Sequence, residues 1–93
     1  MSSTIQREIK ALVDQLLKTS ETKSLRFTRV SIKASDNGFE VNIKIYLEHP
    51  IRLSSVYELA RSMVSKYGIT MDDIMIYSPH SRAIKLIFTI KRR

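Results

Sequence analysis

The sequence predicts a two-layer α+β sandwich, in which two helices cover one face of a four-stranded antiparallel sheet. Two segments carry apolar side chains at helical spacing, and four segments carry apolar side chains at every second position. Turn sequences join the alternating segments in pairs, which gives the element order αββαββ. Ninety-three residues suffice for one domain, so 1–93 is expected to form a single α+β domain with a short basic tail at 91–93.

The first helix is predicted from an amphipathic pattern that begins near a capping residue, Ser3 or Thr4, and ends near Thr19. A polar connection follows at 20–24. The opposite face of the helix is not rich in Lys and Arg, so the apolar stripe indicates packing against a sheet rather than against a membrane surface. The stripe consists of Ile5, Ile9, Leu12, Val13, Leu16 and Leu17.

The first hairpin is predicted around Asn37-Gly38, a dipeptide typical of a two-residue turn with positive φ at both positions. Strict alternation from Phe39 to Leu47 indicates a strand with one buried face. The turn predicts three apolar cross-strand pairs on the same face. These pairs are Ala34 with Val41, Ile32 with Ile43, and Val30 with Ile45.

The start of the first strand is out of phase with its continuation. Leu25 and Phe27 are out of step with Val30 and Ile32. A bulge near Thr28-Arg29 would restore the phase, because one extra residue reverses the alternation.

The second helix is predicted to begin after Leu53, where Ser55 and Glu58 have the spacing of a capping box. Its end is marked by Gly68, a residue suited to a left-handed cap. Beyond it, Thr70 and Asp73 have the spacing of another capping box and indicate a single helical turn.

The second hairpin is predicted from a loop at 78–82 between two alternating segments. A loop centred on His80 places Ile76 opposite Ile84, and Ile74 opposite Leu86. With the first and third strands in the centre, the expected strand order is 2-1-3-4.

Composition favours a polyanionic partner and a cytoplasmic location. Sixteen Lys and Arg against nine Asp and Glu give a net charge of +7, and 49–93 hold eight basic but three acidic residues. Solubility alone is the other interpretation of this charge. The absence of cysteine, of an apolar run of about 20 residues and of a signal peptide predicts a cytoplasmic protein with no membrane segment.

The sheet face away from the helices is the predicted functional surface. Its first interpretation is nucleic-acid binding, with cations on phosphates and Tyr46 and Tyr77 stacking on bases. The second is a homodimer interface formed by Tyr46, Met75, Tyr77 and Ile87, and the third is an ordinary solvated face. The predicted phosphate-binding residues are Arg29, Lys33, Lys44, Lys85, Lys91, Arg92 and Arg93.

Catalytic and cofactor motifs are not evident, so the sequence predicts a protein that is not an enzyme and has no cofactor. Gly38 and Gly68 are both explained by local structure, which leaves no glycine-rich phosphate loop. His80 beside Ser78 is expected to be a surface residue. Asp72-Asp73 is better explained by helix capping than by metal binding.

One stretch resembles a known family. The run from Val41 to Leu47, followed by Leu53-Ser54-Ser55 and Ala60, is similar to the strand-to-helix passage in the cytoplasmic domains of cation-efflux transporters. Arg61 stands where that family often has histidine. The resemblance implies a dimeric or metal-sensing module as the alternative to nucleic-acid binding.

Overall fold

The fold is a four-stranded antiparallel sheet with two helices on one side, in the order αββαββ. A computed structural model describes residues 2–18 and 24–91. The elements are α1 (Ser2–Val13), continued by a π-helical turn (Asp14–Lys18), then β1 (Leu25–Ser35), β2 (Gly38–Leu47), α2 (Leu53–Tyr67), a 3-10 turn (Met71–Asp73), β3 (Met75–His80) and β4 (Ala83–Lys91). The predicted fold class is confirmed.

The strand order is β1-β2-β4-β3, so the predicted order 2-1-3-4 is wrong. The central strands are β2 and β4, whose middle helix-side residues are fully buried. The edges are β1, which buries a threonine, and β3, which is short and contains Pro79. Edge positions tolerate proline and polar groups better than central ones. The β4 strand lies between β2 and β3, so α2 connects two parallel strands in a split β-α-β unit.

The first hairpin turns at Asp36-Asn37, one residue earlier than predicted. Ser35 pairs with Gly38, and Val30 pairs with Ile43, so the predicted pairs are shifted by two residues. A type I′ turn at Asn37-Gly38 would need a positive φ at Asn37, but no described non-glycine residue has one. Gly38, with φ of 147°, accepts the unusual conformation instead. A shift of two preserves the predicted faces.

The second hairpin is shifted in the same way. Its turn is Ser81-Arg82, so Ile76 pairs with Leu86 and the expected pairing of Ile76 with Ile84 is wrong. The register changes between Tyr77 and His80, where Pro79 lies. A bulge at an edge is where a strand accepts a residue that lacks an N–H group.

The irregularity in β1 lies at Arg26, not near Thr28-Arg29 as predicted. Leu25 pairs with Leu47 and Phe27 pairs with Tyr46, so Arg26 is the extra residue. The side chain of Arg26 forms an ion pair with Glu48, with 3.5 Å between Nε and Oε1. The bulge brings Leu25 into the buried phase and leaves Phe27 on the opposite face of the sheet.

The core lies between the helices and one face of the sheet. Fully buried side chains come from α1, α2 and the two central strands, which fixes both helices on the same side. They include Ile9, Leu17, Val41, Ile43, Ile45, Leu59, Met63, Leu86 and Phe88.

The ends of the helices agree only partly with the caps predicted from the sequence. The α2 helix begins at Leu53, so Ser55 lies within the first turn and the predicted capping box at this residue is wrong. Gly68 has φ of 67° and donates its N–H to the Val64 carbonyl at 3.0 Å, which confirms the left-handed cap.

The Thr70 N–H donates to the Asp73 carboxylate at 2.8 Å, as predicted, and lowers the pKa of that carboxyl. The hydroxyl of Ser3 and the connection at 19–23 lie outside the described residues.

Candidate nucleic-acid interface

One face of the sheet carries no helix in the described part of the chain. Along β1, β2 and β4, the residues that alternate with the buried positions all point to this open face. The register arranges their side chains in rows that run across the strands. Successive rows on one face are two residues, or about 7 Å, apart along each strand.

A row of three cations crosses the middle of the open face. Arg29 of β1 pairs with Lys44 of β2, and Lys44 pairs in turn with Lys85 of β4. Directly opposed side chains of this kind have Cβ atoms about 5 Å apart, so like charges there repel each other. None of the three forms an ion pair with a carboxylate among the described residues. The row therefore concentrates positive charge that the described chain leaves uncompensated.

The two lysines of this row lean towards tyrosine rings. The Lys44 Nζ lies 5.3 Å from the centre of the Tyr46 ring, and the Lys85 Nζ lies 5.6 Å from the centre of the Tyr77 ring. Each contact is a cation–π interaction with a different neighbour. The contacts draw the two ammonium groups in different directions and reduce their repulsion without neutralising either charge.

The neighbouring row is aromatic. Phe27 and Tyr46 stack with ring centres 4.2 Å apart and planes inclined by 18°. The next position in the row is Ala83, which pairs with both Tyr46 and His80. Because alanine is small, the His80 ring reaches to 5.8 Å from the Tyr46 ring. Phe27, Tyr46 and His80 thus form an aromatic row beside the cationic one.

Phe27 and His80 belong to this surface, although the sequence patterns do not predict them there. Phe27 is two residues from Arg29 in the same strand, and this spacing places both side chains on the open face, whereas the bulge at Arg26 moves Leu25 to the other face. The sequence predicts His80 in a loop, yet it ends β3 and its Nδ1 accepts the Arg82 N–H at 3.2 Å. No feature of the sequence alone indicates that it lies near Tyr46.

Of the other predicted phosphate-binding residues, two lie on the open face outside the two rows, and two lie outside the described residues. Lys33 lies opposite Glu40, and Lys91 lies opposite Gly38 at the far end of β4. A shallow depression of about 390 Å³ runs between Lys33, Arg29, Lys44 and Lys85. Arg92 and Arg93 lie outside the described residues.

The four residues of the predicted dimer patch do not form one group. Met75 lies directly opposite Ile87, and Tyr77 lies in the next row, opposite Lys85. Tyr46 lies one row further, so the row of Arg29, Lys44 and Lys85 separates it from Met75 and Ile87. Apart from Phe27 on β1, apolar exposure on this face is therefore concentrated at the β3 edge.

The described residues form neither a metal-ligand cluster nor a membrane-spanning helix. Among residues 2–18 and 24–91, no three or more His, Asp or Glu side chains come together as metal ligands would. Within the same ranges, no helix has the length and apolar character to cross a bilayer.

Comparison with known proteins gives no relative. No protein-family model matches the chain, and no curated protein or solved structure is significantly similar to it. The site must therefore be interpreted from its own geometry.

Proposed function

We propose that this is a cytoplasmic, non-catalytic protein that binds single-stranded nucleic acid on the open face of its sheet. The observation that carries the proposal is the row of Arg29, Lys44 and Lys85, three adjacent cations without an ion-pair partner among the described residues. A bound phosphate backbone supplies the missing counter-charges and relieves the repulsion within the row.

The aromatic row favours unpaired bases over a duplex. Phe27 is 44% exposed and its ring stacks on Tyr46, and Tyr77 is 49% exposed. Phe27 lies in the row beside the cations, and Tyr77 lies opposite Lys85 at the end of the cationic row, so a strand with its phosphates on the cations brings its bases to the two rings. Stacking of this kind is available to single strands and not to the paired bases of a duplex. In this arrangement Tyr46 packs against the Phe27 ring and holds it in position for stacking on a base.

A salt titration of affinity tests the proposal. For a mixed-sequence single-stranded oligonucleotide, the logarithm of the binding constant should fall linearly with the logarithm of salt concentration. Three phosphate contacts predict a slope of about −2, and the two additional lysines at 33 and 91 steepen it to about −3.5. A flat dependence, or no binding at low salt, rules the proposal out.

Charge-matched variants locate the interface. Lys44→Gln and Lys85→Gln should each reduce the magnitude of the slope by about 0.7, because each removes one phosphate contact. Lys10→Gln removes the same charge from an exposed position of α1, on the helix side of the protein. Equal effects of all three variants would show that net charge, and not the open face, governs binding.

The alternative function is that of a homo-oligomeric regulatory module whose open face is the dimer interface. Exposed Met75 beside Ile87 favours it, because apolar clusters often mark association surfaces. The cationic row opposes it, since two such faces in contact would bring six cations together. If this alternative holds, replacing Tyr77 and Ile87 by Asp gives monomers, and nucleic acid does not bind.

A further inference from the structure

A second exposed surface lies on the helix side of the sheet, between α2 and the edge strand β3. It is an apolar groove of about 570 Å³, with Leu86 and Ile76 in its floor and Val56 and Tyr57 in its wall. Leu53, at the start of α2, is 82% exposed at its rim, and Ile76 is 54% exposed. Such side chains are ordinarily the ones that a two-layer fold buries.

The two edges of the sheet differ in how they are protected against pairing with another chain. The β1 edge carries Arg26, Arg29 and Lys33, and charged side chains discourage strand addition. The β3 strand, from Met75 to His80, has no Lys, Arg, Asp or Glu, and its Pro79 and its bulge lie beyond Tyr77, so the segment Met75–Tyr77 carries none of these protections. Its residues are all exposed, and it is the strand that adjoins the groove.

We propose that the occupant of this surface is a second copy of the chain, which pairs antiparallel with β3 about a two-fold axis and closes both grooves. Two-fold pairing of identical edges is the simplest closed assembly for a self-complementary surface. It extends the sheet from four to eight strands and sets the two α2 helices side by side on the same face. The projecting Leu53 and Tyr57 of each copy then meet the groove of the other.

The exposed apolar area is sufficient for such a dimer. Five large side chains are exposed on α2, the 3-10 turn and the start of β3, and together they present on the order of 600 Å² per chain, or about 1,200 Å² in the dimer, the lower end of the range for specific interfaces. These side chains are Leu53, Tyr57, Met71, Met75 and Ile76. Both faces of β3 contribute, as expected if the strand lies inside a larger sheet.

This assembly differs from the open-face dimer because it leaves the cationic row uncovered. The open faces of the two copies become one continuous surface, so the row of Arg29, Lys44 and Lys85 occurs twice on the same side. That consequence rests on the proposed nucleic-acid binding, whereas the dimer itself does not.

Mass measurement by light scattering or sedimentation tests the dimer with the full chain. Interfaces of this size can be as weak as micromolar, so the protein is measured up to about 100 µM. The expected mass is 21.6 kDa, twice the 10.8 kDa of one chain. Leu53→Asp and Ile76→Asp should give monomers, whereas Ser65→Asp, the same charge change at another exposed position of α2, should leave the dimer intact.

Cross-linking tests the edge that pairs. The chain contains no cysteine, so a single introduced thiol is unique. With the two-fold axis near Ile76, each thiol of Met75→Cys or Tyr77→Cys lies about 8 Å from its mate, beyond direct disulfide reach. A bifunctional thiol reagent that spans about 10 Å should therefore link these proteins into dimers, whereas Arg29→Cys, at the other edge, should remain largely unlinked. Met75→Asp, at a side chain that is 62% exposed, should also give monomers.

Three results overturn this proposal. They are a wild-type chain that is monomeric at 100 µM, a dimer that survives Leu53→Asp and Ile76→Asp, and preferential cross-linking through position 29. Failure of nucleic-acid binding is a separate result, since Lys44→Gln and Lys85→Gln are expected to alter affinity while the mass stays at 21.6 kDa.

Discussion

Lys44 and Lys85 lie directly opposite each other on the two central strands of the sheet, on the face that carries no helix. Like charges in this position destabilise an antiparallel pair. Each lysine instead contacts a tyrosine ring, and neither forms an ion pair with a described carboxylate. This pair therefore links the stability of the fold to the proposed binding of a polyanion.

The first prediction is that stability and binding change in opposite directions at this pair. Lys85→Met keeps the apolar stem and removes one charge, so the free energy of unfolding should rise by about 0.5 kcal/mol while affinity for single-stranded oligonucleotide falls. Urea unfolding measures the first quantity and a binding titration the second. In 1 M salt the gain in stability should vanish, because the Debye length is then about 3 Å. A gain that persists at high salt would point to packing instead of charge.

The second prediction concerns Phe27, which the bulge at Arg26 places on the open face. Phe27→Leu keeps an apolar side chain over Tyr46 but removes the flat ring. Affinity for a single strand should fall about tenfold, as expected for the loss of roughly 1–3 kcal/mol of stacking on one base. Affinity for duplex should change little, since a paired base cannot stack on the ring. An equal loss for both nucleic acids would contradict the stacking role and leave only an electrostatic one.

The third prediction concerns a buried hydroxyl in β1. The Thr28 Oγ1 is buried and has no hydrogen-bond partner among the described residues. Thr28→Val replaces the hydroxyl with a methyl group of similar size, so the free energy of unfolding should rise by about 1 kcal/mol. Thr89→Val makes the same change at an exposed position of β4 and should leave stability unchanged. Destabilisation by Thr28→Val would show that this hydroxyl has a partner.

The fourth prediction concerns alkaline pH. Burial, and then the adjacent Glu8 carboxylate, raises the pKa of Tyr67 to about 12 from its ordinary 10.0. The raised pKa means that the folded chain holds the phenol proton more tightly than the unfolded chain. The stabilisation is therefore fully present below pH 10 and is lost as pH rises towards 12.

Comparison with Tyr67→Phe isolates this effect from the titration of lysines in the same range. The Tyr67 hydroxyl donates to the Glu8 Oε1 at 3.3 Å, and phenylalanine removes that bond while retaining the ring beside Phe88. The difference in unfolding free energy between the two proteins should shrink as pH rises from 10 to 12. A difference that is constant over this range would mean that the Tyr67 pKa is not raised.

Local patterns were sufficient for the element order and for the faces. Strict alternation in 39–47 and 84–91 identified the buried sets, and a register shift of two residues left those sets unchanged. Helical spacing of apolar residues located both helices, and Gly68 located the end of α2. These features depend on neighbours within a few residues, which is why they can be read along the chain.

The turns could be predicted only approximately. Asn37-Gly38 is the stronger dipeptide signal for a hairpin turn, but the chain turns at Asp36-Asn37. The positive φ occurs at Gly38, the residue after the turn. The alternatives differ by two residues and bury the same side chains, so the hydrophobic pattern does not distinguish them. The choice between them depends on backbone geometry at the turn.

The sequence by itself determined that this protein has one sheet, two helices on one side and a basic open face, because alternation and helical spacing are local properties. Only the tertiary structure decided that β2 and β4 occupy the centre, and hence that Arg29, Lys44 and Lys85 form one row and that Phe27, Tyr46 and His80 form the next. The order of strands in a sheet depends on which strands can pair along both of their edges, and that choice involves every strand at once.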